Sequence, residues 1–298
     1  MRPDPTDTRP RILLLIDIPN WAFHSIARAV VRHLGDRFAF TILIKDQYPH
    51  IEENWFDIVH VFYEFEEYHR QFLHGKAKVI RSVYSHYWEA ERKLEPMQFY
   101  LQNLSDAHVI SVPSQKLLRR LQGLPPPIRL FAEGIEPEVF KPLRERSGSL
   151  KVGWAGKPGF IKRLDIIRKA CDGLCELVIA DGTKTEAEMV DFYNSVDIIA
   201  CSSIAEGCPR PVLEGMACGC YPVSFDVGIV SELVAQNRNG MIVTDETAEG
   251  MREALTRCKE SLGDIRKAAT LNPEIIRATR TWEATTAHLA DVYTALLG

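Results

Sequence analysis

No apolar run in this chain reaches the length of a membrane span, so a helix crossing a bilayer is not expected. Residues Met1 to Pro10 are polar and proline-rich and hold no signal-peptide core, which reads as a frayed tail. An excess of basic charge is missing too. The 36 Lys and Arg are outnumbered by 40 Asp and Glu, a net charge of −4, so bulk nucleic-acid binding is not expected. Seven cysteines are present, Cys171, Cys175, Cys201, Cys208, Cys218, Cys220 and Cys258. Their odd number and the absence of any Cys-x-x-Cys spacing argue against a disulfide frame and against a zinc site. Most lie in apolar surroundings and read as small core residues of a protein kept in a reducing cytosol. There is no Asp-x-Asp motif, and no cluster of metal-ligating side chains stands out. No Gly-x-Gly-x-x-Gly follows the first strand of either half, which sets aside a nicotinamide-binding enzyme. Short-period repeats and a basic amphipathic helix are likewise missing.

What is present is an alternation of strand-like and helix-like runs over 298 residues, enough for two domains, each with its own core. Strands are expected at Arg11 to Ile16, Phe38 to Ile44, Asp57 to Phe62, Lys78 to Val83, Asp106 to Val112 and Ile128 to Phe131. A helix is expected from Ser25 to Leu34, with Ile26, Ala29, Val30 and Leu34 on one face. The stretch Lys141 to Leu150 is charged and small, a linker composition that would serve as a hinge. The pattern restarts at Lys151 to Gly156 and continues with strands at Leu177 to Ala180, Val196 to Cys201, Tyr221 to Ser224 and Gly240 to Val243. The expected class is α/β with parallel sheets. Ligands of such sheets bind outside the carboxyl ends of the strands.

The most informative segment runs from Ser203 to Gly219. Glu206 and Glu214 bracket Gly207, Cys208, Pro209, Arg210 and Pro211, and an apolar helix start follows. A strand, a tight turn and a helix N-terminus make an anion site, because free backbone N–H groups and the helix dipole aim at one spot. A diphosphate flanked by carboxylates that accept from hydroxyls suits a nucleotide sugar.

Glu206 to Gly219, then Tyr221-Pro222-Val223 and Gly228 to Val234, resemble the donor-site signature of family 4 retaining glycosyltransferases of the GT-B fold. Ala132 to Glu136, Phe140-Lys141-Pro142 and Asn239 to Val243 are similar to further segments of that family, with Glu133 where the family has Asn. Trp282, Tyr293 and Leu297 resemble its terminal helix, which crosses back onto the first domain. The likeness covers about the last two thirds of the chain. It implies two Rossmann-like domains facing across a cleft. Residues 1–146 would form the acceptor-side domain, 147–275 the donor-binding domain and 276–298 the returning helix.

The resemblance also assigns roles. Gly156, Lys157 and Lys162 would meet the diphosphate, with Lys157 where the family has Arg. Lys is a point charge and not a fork. The alternative for Lys162-Arg163 is a solvated helix start. Glu206 would hold the donor sugar and Glu214 the ribose; the bland readings are a loop acid and a helix-start acid. Gly207, Cys208 and Pro209 form the turn at the donor, and Arg210 is either a ligand or a solvated side chain. His86, at a strand end, would face the reacting sugar and join Glu206 and Lys162 as catalytic residues, or else bond a backbone carbonyl. His60 reads as a packed structural histidine.

The loop after the first strand departs from the family, having no glycine. Asn20 and Trp21 are candidates for the acceptor side, and Trp21 and Phe23 serve either as an acceptor wall or as core. Glu64 to His69 would be an acceptor loop or a solvated face. The reading is a nucleotide-sugar-dependent hexosyltransferase, retaining and metal-independent, with no cofactor beyond its donor. Its acceptor would be a saccharide, a lipid-linked group or a small molecule. It would be cytoplasmic, and peripheral at the membrane if the acceptor is a lipid. The rivals are a nucleotide-sugar epimerase of the same fold and a non-catalytic nucleotide-sugar or glycan-binding protein.

Overall fold

The computed structural model describes residues 6–45, 53–63 and 75–298. By contacts the chain divides into two compact units, residues 1–134 with 282–298, and residues 135–281.

The first unit is built on β1 (Arg11–Ile16), α1 (Ala22–Leu34), β2 (Ala39–Ile44), β3 (Ile58–Val61), β4 (Lys78–Ser82), α2 (Tyr87–Ala90), α3 (Pro96–Asn103), β5 (Val109–Val112), α4 (Gln115–Leu121) and β6 (Ile128–Leu130). Its six strands lie in the order β2-β1-β3-β4-β5-β6, and every pairing is parallel. A strand covered on both faces must be apolar throughout, and Ile12 to Ile16 of β1 are all inaccessible. Each such side chain is worth roughly 1.5–3 kcal/mol of burial. The expected first helix forms but starts three residues earlier, at Ala22. Its Ile26, Ala29, Val30 and Leu34 face the sheet as their spacing requires.

The second unit contains β7 (Lys151–Ala155), α5 (Leu164–Cys171), β8 (Glu176–Ala180), α6 (Glu186–Ser195), β9 (Ile198–Cys201), α7 (Arg210–Ala217), β10 (Tyr221–Phe225), α8 (Val230–Leu233), β11 (Met241–Val243), α9 (Ala248–Glu260), α10 (Leu262–Ala269) and α11 (Asn272–Thr279). The order is β11-β10-β9-β7-β8, again parallel throughout. Thr185 opens α6 with a reciprocal capping box, its backbone N–H donating to Glu188 Oε2 at 2.7 Å. The small size of Gly215 lets α7 lie close on β9: a Cβ there would stand 2.9 Å from Ile199.

The segment 141–150 is not a free linker. Leu143 N–H donates to Asn194 Oδ1 at 2.7 Å, and Arg144 pairs with Asp191. Arg146 donates to the carbonyls of Val196, Tyr193 and Cys218 at 2.5, 3.1 and 2.9 Å. Its charge thus sits at the carboxyl ends of α6 and α7, where the helix dipoles favour a cation. The composition that reads as a solvated hinge instead supplies anchors, and residues 135–146 belong to the second unit. The last helix, α12 (Trp282–Leu297), belongs to the first unit. Its Trp282, Leu289, Ala290 and Tyr293 are buried with β1 and α1.

Candidate active site

A doubly wound sheet has a switch point, where the chain leaves one strand in one direction and its neighbour in the other, and the loops there part to leave a crevice. In the second unit this point lies between β7 and β9, which pair directly while β8 lies on the far side of β7. The loop after β7 carries Gly156, Lys157 and Lys162; the loop after β9 carries Glu206 to Pro209, with Arg210 opening α7. The fold brings these residues together from positions some fifty apart.

The two loops are stitched to each other. Ile204 N–H donates to the Ile161 carbonyl at 3.0 Å. The buried Ser202 hydroxyl lies 2.9 Å from the carbonyl oxygens of both Lys162 and Arg163 and shares its proton between them. Arg163 opens α5 in the left-handed region, φ 46°, with its guanidinium on the Glu246 carbonyl and 5.0 Å over the Phe225 ring. Backbone strain of this kind persists only where surroundings hold it. Gly156 also has positive φ, 147°, and its open face lies 3.6 Å from the Lys162 stem, measured from where a Cβ would stand.

Two ion pairs occupy the site. Lys162 Nζ meets Glu206 Oε1 at 2.5 Å, the Glu206 side chain being only 13% exposed. Arg210 meets Glu214 Oε1 through Nε at 3.0 Å and Nη2 at 2.8 Å. Glu214 Oε2 accepts from the Tyr193 hydroxyl at 2.8 Å. Burial, and then the Glu214 charge, push the Tyr193 hydroxyl well above the usual phenol range, so it stays a donor. Burial likewise raises the Cys201 thiol, with the Glu206 charge adding to it. Lys157 is exposed. Cys208 is a core side chain, so only its backbone can serve a ligand, and Pro209 has no N–H to offer. Glu206, Glu214, Lys162 and Arg210 therefore form a charge-matched constellation beside a helix N-terminus. It can hold an anion on its cations and accept hydroxyl donors on its carboxylates.

In the first unit the switch point lies between β1 and β3. Asn20 sits in the loop after β1 at φ 58°, its N–H bonded to His24 Nδ1 at 2.8 Å and its Oδ1 accepting from Arg28. Trp21 precedes α1 and is 48% exposed. Phe23 is not part of that exposed surface: it packs on Tyr84 with ring centroids 4.8 Å apart. This contact joins the first turn of α1 to the loop after β4, where buried His86 immediately precedes α2. His60 is structural, as expected. It is inaccessible, with Nδ1 2.8 Å from Tyr293 Oη, Nε2 2.8 Å from Ser82 Oγ, and its ring stacked on Phe62. The segment Glu64 to His69 lies outside the described residues.

Sequence reasoning missed Tyr193, Ser202 and the role of Gly228. Tyr193 lies 21 positions before its partner Glu214; its only local signal is that it falls within an apolar turn of helix just ahead of a strand. Gly228 has φ 51°, and a Cβ there would stand 2.3 Å from the Gly207 carbonyl oxygen. Its place in the recognisable string was visible, but not the approach to Gly207. Among the described residues, no helix is long and apolar enough to cross a membrane.

Residues 128–261 match the family described as Glycosyl transferases group 1. The chain is 28% identical over 204 residues to a D-inositol 3-phosphate glycosyltransferase of Thermobispora bispora, a match covering 60% of this chain and 46% of that protein. It thus spans under half the length of that curated relative. Among solved structures it is similar to sucrose-phosphate synthase from Thermosynechococcus elongatus, with a TM-score of 0.79 and 14% identity over 97% of this chain and 99% of that one. It is also similar to Anabaena Alr3699/HepE in complex with UDP-glucose, with a TM-score of 0.73 and 11% identity over 96% and 99%. The fold is GT-B, two parallel-sheet α/β domains. The match to the group 1 glycosyl transferases thus covers the second unit's β7 to α9 and the end of the first unit, while the fold likeness covers nearly the whole chain. The epimerase and the non-catalytic binder are not favoured by these likenesses.

Proposed function

We propose that this protein transfers a hexosyl group from a nucleoside-diphosphate sugar to an acceptor hydroxyl, with retention and without a bound metal. The observation that carries the reading is the pair of carboxylate–cation contacts, Lys162–Glu206 and Arg210–Glu214, beside the start of α7 at the switch point of the second unit. In this reading Glu214 accepts from the ribose and Glu206 from the sugar. Lys157, Lys162 and the amides of Gly207 and Cys208 hold the diphosphate. The bond from the anomeric carbon to the diphosphate breaks, the acceptor oxygen bonds that carbon, and the acceptor proton passes to the leaving phosphate oxygen. Charge grows on the diphosphate in the transition state, so cations fixed beside it lower the barrier. The family resemblance assigns His86 to the reacting sugar, and in this reading Asn20 and Trp21 are the candidates for the acceptor side. The Anabaena structure was solved with UDP-glucose, so a uridine donor is the first to try. A lipid-linked acceptor would place the cytoplasmic protein at the membrane surface.

The test is a thermal-shift panel of UDP-, GDP-, ADP- and TDP-sugars in chelator, followed by product analysis with any stabilising donor. A donor at about a hundred times its dissociation constant adds roughly 2.7 kcal/mol. A hit lost in Glu214→Ala, turnover that survives chelation and an α-linked product from an α-donor would support each part. Stabilisation without turnover against any acceptor class would leave a binding protein.

A further inference from the structure

Glu214 is already heavily engaged in the free protein. Its Oε1 accepts two bonds from Arg210 and its Oε2 one from Tyr193. A carboxylate offers about four lone-pair sites, so one remains where a ribose diol brings two donors. One present partner must leave. Tyr193 is fully buried and packs edge-on against Phe140 and Phe192 at 6.2 and 5.1 Å, so displacing it would open the core. Arg210 is the first residue of α7, with its side chain 22% exposed.

We propose that Arg210 is a displaceable guard on the ribose carboxylate. Nucleotide binding would exchange the Arg210–Glu214 pair for a diol–Glu214 pair and transfer the guanidinium to the diphosphate. The inference rests on the donor-site reading above and concerns how that site selects its ligand. Pro209 and Pro211, on either side of Arg210, remove two backbone N–H groups from the start of α7. The helix start is therefore poorer in amide donors than usual, and the Arg210 fork, whose geometry suits phosphate, replaces them. In the free site the same fork keeps a nearly buried carboxylate from being left unpaired, which would be costly. A ligand with a diol but a short phosphate chain displaces the guanidinium without offering it a full acceptor. The device thus discriminates in favour of diphosphates.

The experiment first finds which of UDP, GDP and ADP stabilises the wild-type chain. Calorimetry then gives dissociation constants for that diphosphate, its monophosphate and its 2′,3′-dideoxy analogue, on wild type, Arg210→Gln, Arg210→Lys and Glu214→Ala. Arg210→Gln is expected to lower the diphosphate-over-monophosphate preference about tenfold and to raise the ribose-over-dideoxy preference about threefold, because a charge-assisted partner is lost by one group and freed from the other. Arg210→Lys, which keeps the charge without the fork, should move both ratios the same way by less. It carries the test if Arg210→Gln does not fold. Both ratios falling together, or neither moving, overturns the exchange. If no diphosphate binds, or the ribose preference is the same in wild type and Glu214→Ala, the donor-site reading itself fails, whatever Arg210 does.

Discussion

The two units sort their ionisable soft side chains completely: all nine histidines fall in the first and all seven cysteines in the second. Their switch points differ in the same spirit. In the second unit the loops after β7 and β9 are sewn together by backbone and Ser202 contacts and carry two tight ion pairs. In the first unit the loop after β1 has no glycine and exposes Ile18 and Trp21, and the helix start that follows it is packed by an aromatic contact from Phe23 to Tyr84. A site for a highly charged ligand must be preorganised, since reorienting dipoles around charge is costly. The first unit's loop offers exposed apolar faces on a rigid scaffold, which is where the proposed function puts the acceptor. Six of the seven cysteines of the second unit are buried packing groups, which suits that rigidity, and burial raises the thiols of Cys201, Cys218, Cys220 and Cys258. Burial pushes Cys220 up to about 11 and Cys258 to about 12.

The largest effect that would sharpen this contrast is acid lability confined to the first unit. Burial holds His60 down at about 3, against 6.5 when unfolded. The unfolded chain therefore takes up this proton below about 6.5 while the folded chain does not until about 3. Stability present at neutral pH is lost as pH falls through that window, by up to about 5 kcal/mol for this group. Hydrogen exchange at pH 7 and pH 4 should show protection falling in β3, β4 and α12 well before β7 and β9. An equal fall in both units would break the comparison.

Next in size, Lys162→Ala should reduce kcat by about 10²- to 10³-fold, the loss typical of one preorganised donor at developing charge. The circular dichroism of the fold should be unchanged. Glu214→Gln keeps the shape of the side chain but loses its charge, and should weaken nucleotide binding about 30- to 100-fold in calorimetry. Gly228→Ala forces a Cβ against the Gly207 carbonyl at a positive φ, and should lower unfolding stability by about 1–3 kcal/mol while loosening the donor loop. The smallest effect belongs to the other unit. Trp21→Ala should leave stability within about 0.5 kcal/mol, yet raise the acceptor KM with the donor KM unchanged. A change in donor KM would show that the apolar loop also serves the nucleotide.

Much of this was legible in the residues. Strand and helix alternation is a local pattern of apolar spacing, and β1, β7 and β9 formed where Ile12 to Ile16, Lys151 to Ala155 and Ile198 to Cys201 required them. The string from Glu206 to Gly219 pointed to donor chemistry through its resemblance to a family signature, the spacing of its two carboxylates being a weak signal alone. The segment 141–150 misled because charge in a short polar run looks the same whether it meets water or the carboxyl ends of two helices.

By itself the sequence determined the class of fold and which side chains could carry charge at a helix start, because both follow from short-range periodicity and residue chemistry. Only the tertiary structure decided how those side chains are spent. That Lys162 neutralises Glu206 and that Ser202 ties two loops together depend on β7 lying beside β9 with β8 outside them, and that Tyr193 reaches Glu214 depends on α6 meeting α7, whereas Arg210–Glu214 is a local i, i+4 pair within α7. Partners separated by twenty to forty residues meet through strand order, and strand order is set by how whole faces pack, which no local pattern records.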